Sequence, residues 1–296
     1  MNNPFESFLN FLKYEKRYSP HTLLAYSNDL QQFEAFFKTN GTGSDIKNVS
    51  HLDIRNWMVS LMTDKISARS INRKVSSLKS YYKFLMRKGE TLKNPFTKIQ
   101  KPKVAKRLPS FVERKGMEEL LTNVQFSEGY CGILEKIIIE LLYGTGMRRS
   151  ELLNLKEADV DSYQQQLKVL GKGNKERLIP LHGNLLQSIQ QYRKDKKYYL
   201  ESYDTNYLLC DEKGKKLSAV KVYHTVKKYL AQVSTIEKKS PHVLRHTFAT
   251  HLMNNGADIN AVKELLGHSS LAATQVYTHN TIDKLKDIYK KAHPKA

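Results

Sequence analysis

The stretch SPHVLRHTFATHL, residues 240–252, combines three histidines and an arginine within one predicted helix. Ser240 followed by Pro241 is a typical helix start, with serine at the N-cap and proline at the first helical position. His242 and Arg245 then fall in the first turn, where the helix dipole disfavours a cation. Because a helix N-terminus readily binds anions, a bound anion would explain this arrangement.

Two further cations stand where an element begins or ends. Arg148 follows the glycine turn GTGM, and Lys172 lies in a predicted hairpin turn. Two guanidinium groups such as those of Arg148 and Arg245 can clamp the oxygens of a phosphodiester, and a lysine or histidine can protonate the leaving oxygen. Taken singly, each arginine is more typical of a surface ion pair. The set suits metal-free phosphodiester cleavage but does not select a nucleophile among 17 tyrosines.

Other chemistries fit the same motifs less well. GTGMRR lacks the third glycine of a dinucleotide fingerprint, and GKGNKER lacks the order of a Walker A loop. His242 and His246 are four residues apart, but Arg245 beside them would repel a dication and no HExxH motif is present. The sequence therefore predicts no metal and no cofactor. We expect His246 and His251 to be packed, hydrogen-bonded interior residues.

The charge of the chain points to a polyanionic partner. The 296 residues carry a formal net charge of +20, divided evenly between the first 105 residues and the rest. Nucleic acid is the first candidate partner and an anionic membrane surface the second. No stretch approaches the ~20 apolar residues of a membrane span, and no signal peptide is evident. With only Cys131 and Cys210, we expect a soluble, reduced, cytoplasmic protein associated with the nucleoid.

The first 90 residues are predicted to be helical. Ser19, Ser50 and Ser67 precede three helical patterns, and Gly89 ends the last of them. On that last helix Ile71, Val75, Leu78, Tyr82 and Leu85 form an apolar stripe. The other side of the helix carries mainly Arg69, Arg73, Ser76, Ser77, Ser80 and Lys83. This side is either a solvated face or, with Arg69, Arg73 and Lys83 as the candidate DNA-binding residues, a phosphate-contacting face.

A proline-rich, lysine-rich stretch then separates this region from the second half, with the boundary near 100–108. In the second half we predict helices near 113–123, 130–143, 183–198, 218–232, 241–254, 258–266 and 281–291. We also predict a hairpin with strands near 166–170 and 177–181, and a short strand YLLC at 207–210. Helices dominate, with a small sheet.

Four motifs in this order resemble the tyrosine recombinase, or phage integrase, family: TGMRRSELLNL, GKGNKERLIPL, PHVLRHTFATHL and LLGHSSLAATQVYTH. Their spacing and the ending YKKAHPKA are most similar to the Xer recombinases. The resemblance covers nearly the whole chain. It implies a mainly α fold with a small β-sheet, arranged as a two-domain C-shaped clamp on DNA. The implied parts are an all-helical, SAM-like core-binding domain at 1–99, a linker at 100–108 and a catalytic domain at 109–296.

The resemblance also assigns roles to individual residues. The implied catalytic residues are Arg148, Lys172, His242, Arg245, His268 and the nucleophile Tyr277, with Glu151 supporting the first arginine. Arg149 is adjacent to Arg148, but the alignment of the motif favours Arg148. We expect Lys172 to protonate the leaving oxygen, His242 to assist Tyr277 and His268 to position the phosphate; the division of acid and base roles among these three stays open.

The activity implied is metal- and ATP-independent strand exchange through a 3′-phosphotyrosyl intermediate. The implied partners are duplex DNA, further copies of the chain or a second Xer-type recombinase in a tetramer, and a DNA translocase for activation. Helix 281–291 would couple neighbouring protomers; alternatively it packs on its own domain. The role is resolution of chromosome dimers at a terminus site, or else integration of a mobile element. A type IB topoisomerase and a non-catalytic DNA-binding protein are the alternatives from other classes.

Overall fold

A computed structural model describes residues 4–40, 45–104, 110–171 and 175–267, together with Ala292. The chain divides into two compact units, Met1–Arg107 and Leu108–Ala296. Each unit has its own buried hydrophobic cluster. The predicted catalytic residues Lys172, His268 and Tyr277 lie outside the described residues, as do the predicted helix 281–291 and residues 105–108 of the predicted linker.

The first unit is helical. Its helices are α1 (Glu6–Asn10), a π-helical segment (Phe11–Glu15), α2 (Pro20–Asn40), α3 (His51–Thr63) and α4 (Ala68–Arg87), with a short 3-10 turn at Ile46–Asn48. The predicted helix starts are confirmed. The Ser50 hydroxyl accepts a hydrogen bond from the Asp53 N–H at 3.3 Å, and the Asp53 carboxylate accepts one from the Ser50 N–H at 2.9 Å. Such a reciprocal cap satisfies two of the free N–H groups at the start of α3.

The predicted apolar stripe of α4 is also confirmed. Ile71, Val75 and Leu78 are buried in the cluster of the first unit, together with Trp57 of α3. The Tyr82 hydroxyl of the same stripe donates to the Ile46 carbonyl. Because this side of α4 is committed to the core, the opposite side carries its polar and basic residues.

In the second unit, the other elements surround the buried helix α6 (Gly129–Thr145). The elements of this unit are α5 (Arg114–Thr122), α6, α7 (Arg149–Leu153), β1 (Val160–Asp161), β2 (Gln166–Leu170), β3 (Glu176–Pro180), α8 (Gly183–Tyr199), α9 (Ala219–Val233), α10 (Pro241–Asn254) and α11 (Ile259–Leu266). Helix α6 packs against α8, α9 and α10. Its buried Glu135 accepts a hydrogen bond from the Tyr229 hydroxyl at 2.6 Å, so the charge within this apolar helix is satisfied. The predicted mainly helical fold with a small sheet is confirmed.

The sheet differs from the prediction in two places. Strands β2 and β3 form the predicted antiparallel hairpin, with Leu167 opposite Ile179, and the unpredicted β1 adds a third strand beside β2. The strand predicted at 207–210 is wrong, because only isolated bridges form there. The Leu208 N–H donates to the Leu155 carbonyl at 2.9 Å, and the buried Lys196 ammonium donates to the Leu208 carbonyl at 3.0 Å. The Lys196 side chain thus supplies to the Leu208 carbonyl the hydrogen bond that a neighbouring strand would otherwise donate.

Ala292 is the one described residue beyond Gly267, the C-cap of α11. It is buried in the hydrophobic cluster of the second unit, and its carbonyl accepts a hydrogen bond from the Asn255 side chain at 2.7 Å. For this residue the contacts fit packing on its own domain, which was the alternative to coupling between protomers. Helix 281–291 itself lies outside the described residues, so its coupling role stays a prediction.

Candidate active site

Arg148 is positioned by the end of α6. That helix stops at Gly146, whose φ of 61° lies in the left-handed region. A side chain there would be strained, and its Cβ would lie 2.4 Å from the Phe248 ring. The turn brings Arg148 to the N-cap of α7, where the Glu151 carboxylate accepts from the Arg148 N–H at 2.7 Å and from its Nη1 at 2.8 Å. Glu151 therefore fixes both the backbone and the side chain of Arg148.

Arg245 is the fifth residue of α10, just after the first turn in which it was predicted, and it is only 7% exposed. Ser240 occupies the N-cap position, although its side chain makes no capping hydrogen bond. The guanidinium donates to the Gly146 carbonyl at 2.8 Å and to the Leu266 carbonyl at 2.6 Å. These carbonyls end α6 and α11, and helix C-termini attract cations. Two other helices thus offset the repulsion that the start of α10 exerts on Arg245.

Burial lowers the pKa of Arg245 to about 10, and the positive charge of Arg148 adds to this effect. The group therefore remains a cation at neutral pH. Positive charge is in excess around this group. Arg148, Arg177 and Arg245 carry three positive charges, and the carboxylate of Glu151 supplies one negative charge. A surplus of positive charge in a partly buried site favours an anionic ligand.

Sequence reasoning missed Arg177. This residue lies on β3 with its side chain 4% exposed, and it donates to both oxygens of Glu151, at 3.0 and 2.8 Å. Burial by itself would raise the pKa of Glu151, but the hydrogen bonds and charge of Arg177, together with the hydrogen bonds from Arg148, lower it below its usual value. The signal was present: Arg177 and Ile179 are two apart and share the inward face of the strand. An arginine on an inward face requires a buried partner.

The histidines of α10 divide into two groups. His242 and His246 are exposed, so the prediction that His246 is an interior residue is wrong. His251 is buried as predicted, and its Nδ1 lies 2.9 Å from the Tyr143 hydroxyl. The pKa of His242 is lowered, mainly by partial desolvation and secondly by the positive charges of Arg245 and the other basic groups around it. A neutral imidazole at pH 7 can accept a proton, which fits the assisting role expected for His242.

Arg148 and Arg149 have different environments. The Arg148 side chain is bound to Glu151 and is 29% exposed, whereas Arg149 is exposed at the first position of α7. Arg148 also donates to the Gly267 carbonyl at 3.2 Å. A guanidinium has five N–H donors, so Arg148 keeps donors for a further acceptor. Arg148 and Arg245 thus approach the same end of α11, one bound to Gly267 and the other to Leu266.

The basic side of α4 is confirmed only in part. Arg69, Arg73 and Lys83 are exposed, whereas Ser77 is buried and its hydroxyl donates to Asp29 at 2.8 Å. Ser77 was assigned to the open side of the helix, and that assignment is wrong because Asp29 of α2 draws it inward. The same carboxylate accepts from Arg73.

The start of the predicted linker lies along this side of α4. The Asn72 side chain donates to the Pro102 carbonyl at 3.0 Å, and Lys101 donates to the Ser76 hydroxyl at 2.8 Å. We call the exposed side of α4 that carries Arg69, Arg73 and Lys83 the α4 face. Residues 101 and 102 cover one edge of the α4 face, and Lys101 adds a cation to it. The exposed cations of α4 remain beside this edge.

Within the described ranges, no group of three or more His, Cys, Asp or Glu side chains is arranged to hold a metal ion. No helix in the described part of the chain is long and apolar enough to cross a membrane.

Comparison with known proteins identifies the family. Residues 110–284 match the phage integrase family, and residues 5–89 match the N-terminal SAM-like domain of phage integrases. The chain is 38% identical over 296 residues to the tyrosine recombinase XerC of Staphylococcus aureus, covering 100% of this chain and 98% of the relative. The XerC of Staphylococcus carnosus is also 38% identical, with 100% and 99% covered.

Solved structures agree in fold. A crystal structure of the XerH site-specific recombinase bound to a palindromic difH substrate matches with a TM-score of 0.72 and 21% identity, covering 96% of this chain and 82% of that one. The Tn1549 transposon integrase in complex with circular intermediate DNA matches with a TM-score of 0.70 and 22% identity, covering 94% and 96%. The chain belongs to the phage integrase family, that is, to the tyrosine recombinases, as the sequence motifs indicated.

Proposed function

We propose that this chain is a site-specific recombinase that cuts and rejoins duplex DNA through a 3′-phosphotyrosyl intermediate. The observation that carries the proposal is the convergence of Arg148 and Arg245 on the end of α11, in a site whose positive charges outnumber its carboxylate. Full-length similarity to XerC supports a substrate of duplex DNA. The two arginines would hold the non-bridging oxygens of the phosphate that is cut.

The cleavage step is an exchange of one ester for another. The Tyr277 oxygen attacks phosphorus, the bond from phosphorus to the 5′ oxygen breaks, and a 3′-phosphotyrosyl ester forms. The tyrosine proton passes to His242, and Lys172 supplies a proton to the leaving 5′ oxygen; His268 positions the phosphate. The 5′-hydroxyl of a partner duplex then attacks the phosphotyrosyl ester and releases Tyr277. Because the number of ester bonds is unchanged, the exchange requires no ATP, and the two arginines and Lys172 would supply the positive charge that a metal provides in other enzymes.

The arginines supply the main stabilisation of the transition state. A preorganised donor aimed at the developing charge typically contributes ~10²–10³ in rate. Arg245 satisfies this condition because two backbone carbonyls hold it in place before substrate binds. Arg148 satisfies it through Glu151. The protein thus fixes both cations without using DNA to do so.

Similarity to XerC over the full length favours resolution of chromosome dimers during cell division over integration of a mobile element. The assembly proposed is a tetramer on two duplexes, made from this chain alone or with a second Xer-type recombinase. A DNA translocase would activate it, and helix 281–291 would couple neighbouring protomers. Arg69, Arg73 and Lys83 of the first unit would contact phosphates.

The test traps the covalent step. The full chain is incubated with a duplex that carries the host's terminus resolution site and a nick beside the cleavage position, so that the short released fragment diffuses away. A protein–DNA adduct on a denaturing gel from wild type, absent for Tyr277→Phe, is expected. Loss of the adduct with Arg245→Ala would support the role of that cation.

Three outcomes would contradict the proposal. An adduct that persists with Tyr277→Phe would reject this nucleophile. Tight binding with no adduct, alone or with the host's second recombinase added, would indicate a DNA-binding protein that does not cut. Relaxation of supercoiled DNA without a preferred site would indicate a type IB topoisomerase instead.

A further inference from the structure

All three guanidinium nitrogens of Arg177 donate hydrogen bonds inside the protein. Nη1 and Nη2 donate to the two oxygens of Glu151, at 3.0 and 2.8 Å, and Nε donates to the Leu265 carbonyl at 2.8 Å. One buried side chain of β3 therefore connects the start of α7 to the end of α11. Only the fixed, planar fork of an arginine can make these contacts together.

The end of α11 is held by three different arginines. The successive carbonyls of residues 265, 266 and 267 accept hydrogen bonds from Arg177, Arg245 and Arg148, respectively. Such carbonyls have no partner within their own helix. Here each one orients a guanidinium, and two of these guanidiniums belong to predicted catalytic residues.

Two glycines lie against the same group. Gly267 directly precedes His268, and its φ of +62° suits glycine; a Cβ there would lie 3.1 Å from Cδ of Arg177. Gly171 directly precedes Lys172, and a Cβ there would lie 3.6 Å from Nη1 of Arg177 and 3.7 Å from Oε1 of Glu151. The backbone next to two more predicted catalytic residues thus lies so close to the Arg177–Glu151 pair that any side chain there would contact it.

We infer that Arg177 is a positioning residue for DNA cleavage, which sets the orientation of Arg148 through Glu151 and the backbone beside Lys172 and His268. The inference rests on the proposed function, because it concerns the rate of that cleavage. A displacement of about 1 Å in a catalytic group can cost on the order of 10²-fold in rate. A buried ion pair that served only folding would leave that rate unchanged in the folded protein.

The second unit contains a matched control. Lys196 is 1% exposed and pairs with Glu157 at 2.5 Å, but its described contacts are with Glu157, aromatic rings and the carbonyls of residues 207 and 208, none of them a predicted catalytic residue. Lys196→Met removes a buried cation from the same unit. It is expected to lower thermal stability without changing the cleavage rate at saturating DNA.

The experiment compares wild type, Arg177→Met, Arg177→Lys and Lys196→Met, each as the full chain. Single-turnover adduct formation on the nicked duplex is measured at saturating DNA, at least about 10 °C below the unfolding midpoint of each variant, and Kd is measured separately. We expect Arg177→Met to cleave about 100-fold more slowly with Kd little changed. Arg177→Lys keeps the charge but cannot make all three contacts, so about a 10-fold loss is expected, even if Arg177→Met does not fold.

Different results overturn different claims. Cleavage by a folded Arg177 variant at the wild-type rate would overturn the positioning role while leaving the proposed function intact. An equal loss of rate in Lys196→Met would do the same, since the effect would then be a general consequence of destabilisation. Absence of any adduct with wild type would overturn the proposed function and the inference with it.

Discussion

A buried carboxylate binds an arginine in each unit, but the two arginines differ in exposure. In the first unit the Asp29 side chain is 1% exposed, whereas its partner Arg73 is 50% exposed. In the second unit Glu151 and its partner Arg177 are 3% and 4% exposed. The same pair of groups thus presents a cation to solvent in one case and removes it from solvent in the other.

We expect this difference to separate the binding of DNA from its cleavage. Arg73 keeps N–H donors in solvent, and the buried Asp29 only limits its orientation. Arg177 is buried and each of its three guanidinium nitrogens already donates within the protein, so a ligand is met by Arg148, which shares the carboxylate of Glu151. We therefore expect changes at the exposed pair to alter affinity, and changes at the buried pair to alter stability and rate.

The largest effect is expected for Arg245→Ala. This cation is preorganised by two carbonyls, so its loss should slow adduct formation at saturating DNA by ~10²–10³-fold while the duplex still binds. The measurement is the single-turnover rate on the nicked duplex, with Kd from a titration. Arg149→Ala is the control, because this neighbouring cation is exposed and is not bound to Glu151. Equal losses for the two variants would mean that total charge, and not position, determines the rate.

His242 should determine the acid limb of the pH profile. If neutral His242 accepts the Tyr277 proton, cleavage rises with pH through the pKa of His242 and is level above it. That pKa is lowered by desolvation and by the nearby arginines, so the limb should lie below pH 6.5 and the rate should be level at pH 7. His242→Gln should remove the limb and lower the level rate by about 10²-fold. A limb of unchanged position in His242→Gln would assign it to another group.

Glu151→Gln tests the buried pair by stability. Removing one partner of a buried ion pair typically costs ~3–5 kcal/mol, because Arg177 would keep its charge without a counter-ion. We expect a loss of about 3 kcal/mol in the free energy of unfolding, measured by urea denaturation. The control Glu118→Gln removes a carboxylate from an exposed pair with Arg114 and should cost less than about 1 kcal/mol.

The same pair predicts a sign for the pH dependence of stability. The pKa of Glu151 is lowered in the folded state, so its ionised form is favoured by folding. Its contribution is complete above the unfolded value of about 4.5 and is lost as pH falls through the folded value. As the pH is lowered from 5, the free energy of unfolding should therefore fall more steeply for wild type than for Glu151→Gln. Equal slopes would contradict this assignment.

Local signals in the sequence were sufficient for most elements. Ser50 and Ser67 marked helix starts, and alternation marked the β2–β3 hairpin, because caps and side-chain periodicity are local properties. The strand at 207–210 and the side assigned to Ser77 failed because distant residues decide them: Lys196 binds a carbonyl in one case, and Asp29 draws in the hydroxyl in the other. Alternation on β3 indicated that Arg177 faces inward, but it could not indicate the partners of this residue. Its role depends on residues 26 and 88 positions away.

Asp29→Asn should weaken binding and leave the cleavage step intact. The neutral amide holds Arg73 and Lys74 less firmly, so both cations become less ordered on the α4 face. We expect Kd for the duplex to rise several-fold, with the rate at saturating DNA unchanged. The corresponding change in the other unit, Glu151→Gln, should show the opposite pattern. A rate loss in Asp29→Asn at saturating DNA would remove the distinction between the two pairs.

The smallest effect is expected for Arg73→Gln. It is best measured as a change in the salt dependence of the DNA-binding constant. Each phosphate neutralised by the protein contributes about 0.9 to the slope of log K against log salt for duplex DNA. If Arg73 contacts one phosphate, the slope should fall by about 1 in Arg73→Gln. Arg114→Gln removes the same charge from α5, where the side chain is exposed and pairs with Glu118. Its slope should match wild type; an equal fall in both variants would mean that net charge, and not the α4 face, sets the salt dependence.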